Sequence, residues 1–379
     1  MMQQEYIGLE SISNFEGILS KHKPSHIFLV TGKKSYGKSG AKKIIEQYLK
    51  DYNVTHFYDF EVNPKLPDIE KGIQLFKENN CDFVIAVGGG SVIDVAKSVN
   101  ILAANLGEPI EYVKKGKNIK NKGSPLVAIP TTAGSGSETT HFAVLYMDKT
   151  KYSLAHDFIL PNYALVDPQF IMSLPSYITA CTGIDALSQA IESYWCINST
   201  EESKSYAKEA IKLVMGNLPD TVKNPSKKSR EAMARASYLA GKAINISRTT
   251  ACHAISYPIT SYFNVPHGHA VALTLVQMLV YNSQVSDEDI LDRRGVTYVQ
   301  KIIKEITNLI DTESVEEASK KITDLMKEIG LATRLSEIGI ETEEDIELII
   351  KEGFNPDRVK NNPRELTENR LNEILHNIR

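Results

Sequence analysis

The chain has few cysteines, no excess of positive charge and no long apolar run, and each shortage removes a class of function. Its four cysteines, at 81, 181, 196 and 252, are scattered with no CxxC spacing, so reduced thiols are expected rather than a disulfide framework. No apolar stretch reaches the length that spans a bilayer. The opening residues, MMQQEYIGLE, lack the basic and apolar regions of a signal peptide, and a cytoplasmic protein is expected. The formal net charge is −4, which gives no electrostatic footprint for nucleic acid and no polybasic patch for a membrane. Short basic runs, Lys114–Lys115 and Lys227–Lys228, read as solvated faces. Internal repeats and low-complexity tracts are missing, as is the GxGxxG dinucleotide fingerprint.

What remains is an ordinary globular composition. Hydrophobic residues make up 42% of the 379 and charged residues 24%, enough for a substantial core and, at roughly 150 residues each, for two domains. The first half alternates short apolar strands with amphipathic helices. Strands are predicted at Ile27–Thr31, Val54–Phe60, Phe83–Val87 and Leu126–Ile129, with helices at Ala41–Leu49, Pro67–Asn79 and from about Val92 to Ala104. Unbroken apolar strands separated by helices indicate a parallel sheet covered on both faces. Shorter β-rich pieces (FAVLYM, YSLA, YALVD) follow between Thr139 and Asp167. After about Pro175 the strands stop. Helical periodicity marks Ala180–Tyr194, Glu202–Leu218, Arg230–Ile246 and the segments from Ser314 onward, with Pro175, Pro219, Pro225 and Pro363 near helix boundaries. The reading is an α/β domain over residues 1–176 and an all-helical domain over 177–379, with a cleft between them.

Three stretches carry chemistry. In FVIAVGGGSVIDVAK (83–97), Gly88, Gly89 and Gly90 end a strand and Ser91 opens a helix. Glycines let a ligand approach the backbone, and the helix start offers free N–H groups and a favourable dipole to a phosphate. A plain tight turn would need only one glycine. In AIPTTAGSGSETT (128–140), hydroxyls and small residues follow another strand, at the sheet edge where doubly wound proteins bind ligands. The third is a metal constellation. Asp185 lies on a helix with Gln189 on the same face, and His253 and His267 come later. One carboxylate and two imidazoles suit Zn²⁺ or Fe²⁺ and leave a position open for substrate, although any one histidine taken alone is more often structural.

These motifs, in this order, resemble the iron-containing (group III) alcohol dehydrogenase family over residues 26–275: GGGSxxDxAK, PTTxGxGSE, Asp167-Pro168, the TGxDAL helix, and HAxxxP followed by PHG. The resemblance implies a Rossmann-like N-terminal domain of the dehydroquinate synthase-like fold, a helical C-terminal domain, and metal and nicotinamide meeting in the cleft. It also implies a homodimer. It makes Asp185, His253 and His267 metal ligands and puts Gln189 where common members have a fourth, histidine, ligand. Gln189 then either coordinates weakly or leaves a three-ligand site.

Two further departures bear on function. Tyr257 replaces a family histidine close to the nicotinamide, so Tyr257 and the extra imidazole His269 are the candidates for proton delivery. NAD-preferring members carry an aspartate just after the first strand. Here the strand runs into Thr31-Gly32-Lys33-Lys34-Ser35; with no carboxylate and with Lys33 and Ser35 nearby, a 2′-phosphate is suited, and NADPH is expected over NADH. The resemblance assigns Thr31, Gly32, Lys33, Ser35, Gly88–Ser91, Asp94, Thr131, Thr132 and Ser135 to the cofactor. Before the first ligand histidine stand Arg248 and Thr249; arginine grips phosphonate, phosphate or carboxylate bidentately. This segment, with DALSQAIESYW, is similar to the phosphonoacetaldehyde reductase-like branch and implies a small anionic aldehyde.

The expected reaction is therefore reduction of a small aldehyde by hydride from NAD(P)H, with Fe²⁺ or Zn²⁺ as Lewis acid. A lyase of the dehydroquinate synthase type that uses NAD transiently, and a non-catalytic nucleotide binder, are the rival readings.

Overall fold

A computed structural model describes residues 3–354 and 356–379. The contacts divide it into two compact units, one ending at Leu174 and the other starting at Pro175.

The N-terminal unit is built on a six-stranded parallel sheet. Its strands are β1 (Gln4–Ile7), β2 (His26–Thr31), β3 (Asn53–Phe57), β4 (Phe83–Gly88), β5 (Leu126–Pro130) and β8 (Tyr163–Val166), in the order β1-β8-β5-β4-β2-β3. Between β5 and β8 the chain forms a separate antiparallel hairpin, β6 (Phe142–Met147) with β7 (Thr150–Ala155). Central β4 pairs with β2 through Ile27↔Phe83 to Thr31↔Val87 and with β5 through Val84↔Leu126 to Gly88↔Pro130. Every β4 residue is buried, because alternate side chains enter two cores. Phe28, Val30, Val84, Ala86 and Ala128 face one side, where α4 (Leu66–Glu78) and α5 (Gly90–Ala103) cover the sheet. Ile27, Leu29, Ile85, Val87 and Ile129 face α1 (Asn14–His22) and α3 (Ala41–Leu49) on the other. Sheet strands buried on both faces lose the polar alternation of a half-exposed strand, hence runs such as FVIAVG. Two short helices, α2 (Ser35–Lys38) and α6 (Pro109–Lys114), complete the unit.

The C-terminal unit is helical: α7 (Ser176–Trp195), α8 (Glu201–Lys223), α9 (Lys227–Ser247), α10 (Ala251–Phe263), α11 (His267–Ser283), α12 (Val296–Leu309), α13 (Val315–Glu328), α14 (Glu343–Gly353), α15 (Pro356–Val359) and α16 (Glu368–Asn377). Helix α7 is its axis. It packs against α8, α9 and α11, and its residues from Gly183 to Trp195 are buried all round. Thr200 and Ser226 start α8 and α9 with reciprocal capping boxes, which satisfy backbone donors that a helix start leaves unpaired. No helix among the described residues is long and apolar enough to cross a membrane.

Several boundaries differ from the sequence expectation. Strand β3 stops at Phe57, three residues early, and α5 starts at Gly90, inside the glycine run. Pro219 does not bound a helix: α8 continues to Lys223, because a proline this near the end removes only one bond, to the carbonyl of Met215. Edge strand β1 was not anticipated, nor were α10 and α11 as individual helices.

Candidate metal and nucleotide sites

In the C-terminal unit, Asp185, Gln189 and Glu192 lie at i, i+4 and i+7 on α7, one stripe of carboxylate and amide side chains on a buried helix. All three are buried. The first turn of α10 supplies His253 and the first residue of α11 is His267. Ligand atoms of Asp185, His253 and His267 all lie within 4.8 Å of one another. Gly268 makes this approach possible. A Cβ there would overlap the carbonyl oxygen of Cys181 and lie 2.5 Å from Asp185 Cβ, so only glycine lets α11 press its first turn onto α7.

The donor atoms fit a metal ion. Asp185 Oδ1 and His253 Nε2 are buried, 3.6 Å apart, and neither has a hydrogen-bond partner among the described residues. Two ligands at about 2.1 Å from one tetrahedral ion would stand roughly 3.4 Å apart. The remaining atoms of these side chains are committed elsewhere. Gln189 Nε2 donates to Asp185 Oδ2 at 3.2 Å, His253 Nδ1 donates to Glu192 Oε2, and His267 Nδ1 donates to Ser256 Oγ at 3.3 Å. These bonds fix both imidazoles in the tautomer that presents Nε2 to an ion. Burial works against a charged ring at His253, but the carboxylates of Glu192 and Asp185 outweigh it and raise its pKa to about 9. The pocket therefore attracts positive charge, and a divalent ion would displace that proton.

Glu192 was missed by the sequence reading. Its Oε1 accepts from Thr250 N at 3.1 Å, Thr250 Oγ1 at 2.7 Å and Cys252 N at 2.9 Å. It thus caps α10 from a neighbouring helix while orienting His253, a carboxylate placed where the helix dipole favours one. The available signal was the i+7 spacing after Asp185 and Gln189.

The proton-delivery candidates part company. The Tyr257 ring stacks on His267 with centroids 6.2 Å apart and planes at 22°. His269, two residues beyond His267, points to another side of α11; it is buried and its Nε2 bonds the carbonyl of Ala332 at 2.9 Å. It stands outside the ligand group.

Arg248 closes α9 with φ 73° and ψ 173°, a region that residues with a Cβ rarely enter. Ser247 Oγ holds the bend, bonding the Arg248 carbonyl at 2.9 Å and Ser193 Oγ at 2.8 Å. The side chain is half-buried, which pulls its pKa down. The Thr249 carbonyl accepts from Asn361 Nδ2 at 3.3 Å.

In the N-terminal unit the two glycine and hydroxyl motifs meet at the carboxyl ends of β4 and β5. Thr131 N bonds the Gly88 carbonyl at 3.0 Å. A Cβ on Gly89 would lie 3.2 Å from Thr132, and one on Gly90 would lie 2.8 Å from Ser135 Oγ, so glycine lets the second motif lie directly on the start of α5. There the N–H groups of Gly90 and Ser91 have no upstream acceptor in their own helix. The Thr131 hydroxyl is buried without a hydrogen-bond partner among the described residues. Asp94, expected at the cofactor, is engaged by the second motif and by β6: its Oδ1 accepts from Ser137 Oγ at 2.6 Å and its Oδ2 from Val144 N at 3.2 Å. At the ends of β2 and β3, Thr31 Oγ1 bonds His56 Nε2 at 2.8 Å, a Cβ on Gly32 would overlap Ser35, and Lys33 pairs with Asp59 at 3.5 Å.

The chain is similar to known proteins along nearly its whole length. The family described as iron-containing alcohol dehydrogenase matches residues 3–168, and the C-terminal domain of the Fe-containing alcohol dehydrogenase family matches residues 179–379. The NAD-dependent methanol dehydrogenase of Bacillus methanolicus is 33% identical over 341 residues, covering 89% of this chain and 87% of that protein. The 1,3-propanediol dehydrogenase of Klebsiella pneumoniae is 31% identical over 343 residues, again 89% and 87%. The crystal structure of sulfoacetaldehyde reductase from Bifidobacterium kashiwanohense in complex with NAD+ superposes with a TM-score of 0.88 at 32% identity, covering 99% of this chain and 96% of that one. The parallel sheet with its glycine motifs, the helical unit with its carboxylate and imidazoles, and these matches along nearly the whole chain place the protein in the iron-containing alcohol dehydrogenase family.

Proposed function

We propose that the protein is a metal-dependent NAD(P)H aldehyde reductase, working reversibly as an alcohol dehydrogenase, on a small aldehyde with an anionic head group. The observation that carries the reading is the bare, buried pair Asp185 Oδ1 and His253 Nε2 with His267 beside it. These three side chains would hold Fe²⁺ or Zn²⁺, which a carboxylate and two imidazoles suit equally. Gln189 orients the carboxylate from its outer oxygen. A bound ion supplies Lewis-acid polarisation of the carbonyl, and a bound nicotinamide supplies the hydride.

The chain's own groups do the rest. Gly89, Gly90 and Ser91 offer backbone donors to the pyrophosphate, and Thr131, Thr132 and Ser135 flank it. We assign proton delivery to the substrate oxygen to the Tyr257 hydroxyl, whose ring rests on a metal ligand, since His269 is engaged by the Ala332 carbonyl. Arg248 and Thr249 bind the head group. A sulfonate or phosphonate fits the bidentate geometry of a guanidinium, and sulfoacetaldehyde, the substrate named for one related structure, carries such a group. NADPH is preferred to NADH in this reading. No carboxylate follows β2, and the exposed Lys33–Asp59 pair is weak enough for a 2′-phosphate to compete for the lysine.

The experiment is NADPH and NADH oxidation by protein loaded with Fe²⁺ or Zn²⁺, against sulfoacetaldehyde, phosphonoacetaldehyde and propionaldehyde. Stoichiometric cofactor consumption abolished by a chelator, with the anionic aldehydes turned over best, is expected. Absence of net oxidation with every aldehyde would remove the reductase and favour a transient user of NAD or a non-catalytic binder.

A further inference from the structure

We propose that Lys97 is a positioning residue of the nucleotide site: its ammonium group fills an oxygen cage made by residues 137–142 and so holds the second motif against the start of α5. The inference rests on the reading that the two glycine and hydroxyl motifs bind the nucleotide.

Lys97 sits on α5, two turns after the glycines, and only 1% of it is exposed. A buried ammonium normally requires an ion-pair partner, yet among the described residues no carboxylate pairs with it directly, and Asp94 and Glu138 favour its charge only through space. Five oxygens surround Nζ instead. They are the Ser137 carbonyl, Ser137 Oγ at 3.1 Å, the Thr140 carbonyl at 2.8 Å, Thr140 Oγ1 at 3.1 Å and the Phe142 carbonyl at 3.0 Å. An ammonium has three N–H donors, so five acceptors exceed its hydrogen bonds, and the cage treats Nζ much as it would a small monovalent cation.

All five oxygens come from one six-residue segment that turns sharply through Ser137–Thr139. Carbonyls converging in such a turn repel each other and would splay without a cation between them. Asp94, one turn earlier on α5, grips the same segment with the opposite charge through Ser137 Oγ, and the strand that continues from it through Val144 N. The segment follows Ser135 directly, and Ser137 N bonds Ser135 Oγ at 3.3 Å. Slackening at the cage therefore reaches Ser135 and, through it, the contact with Gly90. The charged residues of the first motif act on the second motif, and the second motif flanks the ligand.

The test uses metal-loaded full-length protein and direct NADPH binding, read by cofactor fluorescence in choline buffer. Lys97→Ala and Lys97→Met should each weaken binding by about 10-fold or more, the scale of losing charge-assisted hydrogen bonds, with bound metal unchanged. Ammonium, methylammonium or K⁺ should then restore binding to Lys97→Ala, whose cage is empty, and leave Lys97→Met, whose side chain still fills it, unrestored. Wild-type affinity in Lys97→Met, or loss in Lys97→Ala that no small cation reverses, would overturn the proposal. Should Lys97→Ala fail to fold, Thr140→Val carries the test by removing one cage hydroxyl. It should weaken NADPH binding by about 3-fold, and unchanged binding counts against the cage. Failure of the wild-type protein to bind NADPH or NADH at all would be a failure of the nucleotide-site reading, a result separate from any comparison of variants.

Discussion

Replacing Arg248 by alanine and by glycine should separate what its backbone stores from what its side chain does. At φ 73° and ψ 173°, a residue with a Cβ sits in a region that costs about 1–3 kcal/mol and that glycine enters without strain, offset by the roughly 0.5–1 kcal/mol of extra chain entropy a glycine loses on folding. Both variants lack the guanidinium, so their difference isolates the Cβ. Arg248→Gly should be the more stable by about 1 kcal/mol, the reverse of the helix-interior order, where alanine leads by about the same amount. In a unit of this size that is roughly 2–4 °C in Tm, readable by calorimetry on metal-loaded protein. Arg248→Ala melting at or above Arg248→Gly would refute the strain. The side chain has its own readout. Loss of a bidentate grip should lower kcat/KM for an anionic aldehyde by about 100-fold, close to 3 kcal/mol, in both variants alike. A neutral aldehyde of similar size should change little, and an equal fall on it would refute anion recognition.

Three other changes probe the supports of the two sites. Glu192→Gln removes the charge that accepts from His253 Nδ1, and metal affinity should fall by about 10–100-fold in chelator competition; unchanged affinity would leave Glu192 with only its capping role. Gly268→Ala forces α11 away from Cys181 and Asp185, so the purified variant should contain far less metal while keeping its far-UV spectrum, and full occupancy would show that the close approach is dispensable. Glu138, almost fully buried, has its pKa pushed up to about 7 by burial, from 4.5. A carboxyl whose folded pKa is raised stabilises fully below the unfolded value and loses that contribution as pH rises through the folded one. The N-terminal unit should accordingly lose stability between about pH 4.5 and 7, by about 3.4 kcal/mol at most, and Glu138→Gln should flatten the slope. Lys97, lowered by burial to about 8 from 10.5, acts with the opposite sign and only at higher pH. A slope unchanged in Glu138→Gln would rule out the buried carboxyl as its source.

Much of this fold is legible because burial writes itself into sequence in two ways. The strand from Phe83 to Gly88 is buried on both faces and reads as an unbroken apolar run, while α3, α4 and the later helices bury one face each and read by period. The failures follow from the same physics. Helices α10 and α11 are buried almost all round, so they have no polar face to set a period, and two prolines, Pro258 and Pro266, interrupt the stretch. Strand β1 is a short edge with a mixed, half-exposed pattern, which carries little signal. The cluster of Asp185, His253 and His267 was readable because those residue types are scarce at such positions and the spacing of the family they resemble is specific. Glu192 and Lys97 were not, since a glutamate or lysine in a helix looks alike in sequence whether it meets solvent or a core.

Glu192 and Lys97 nevertheless share a construction that explains why a helix core would tolerate them. Each sits on the most buried helix of its unit and extends its charge to a neighbouring segment whose backbone groups would otherwise lack partners. Glu192 takes the N–H groups that open α10; Lys97 takes the carbonyls that close the turn after Gly136. A buried ion must find hydrogen bonds, and a buried loop or helix end must do so too, so each requirement is met by the other. In both cases the segment so held carries or adjoins candidate ligand groups: His253 in one, Ser135 with its motif in the other. Neutral replacements of the same size keep the packing at these two positions but leave several backbone groups unpaired at once. They should therefore disturb metal or nucleotide binding more than their small change in volume would suggest.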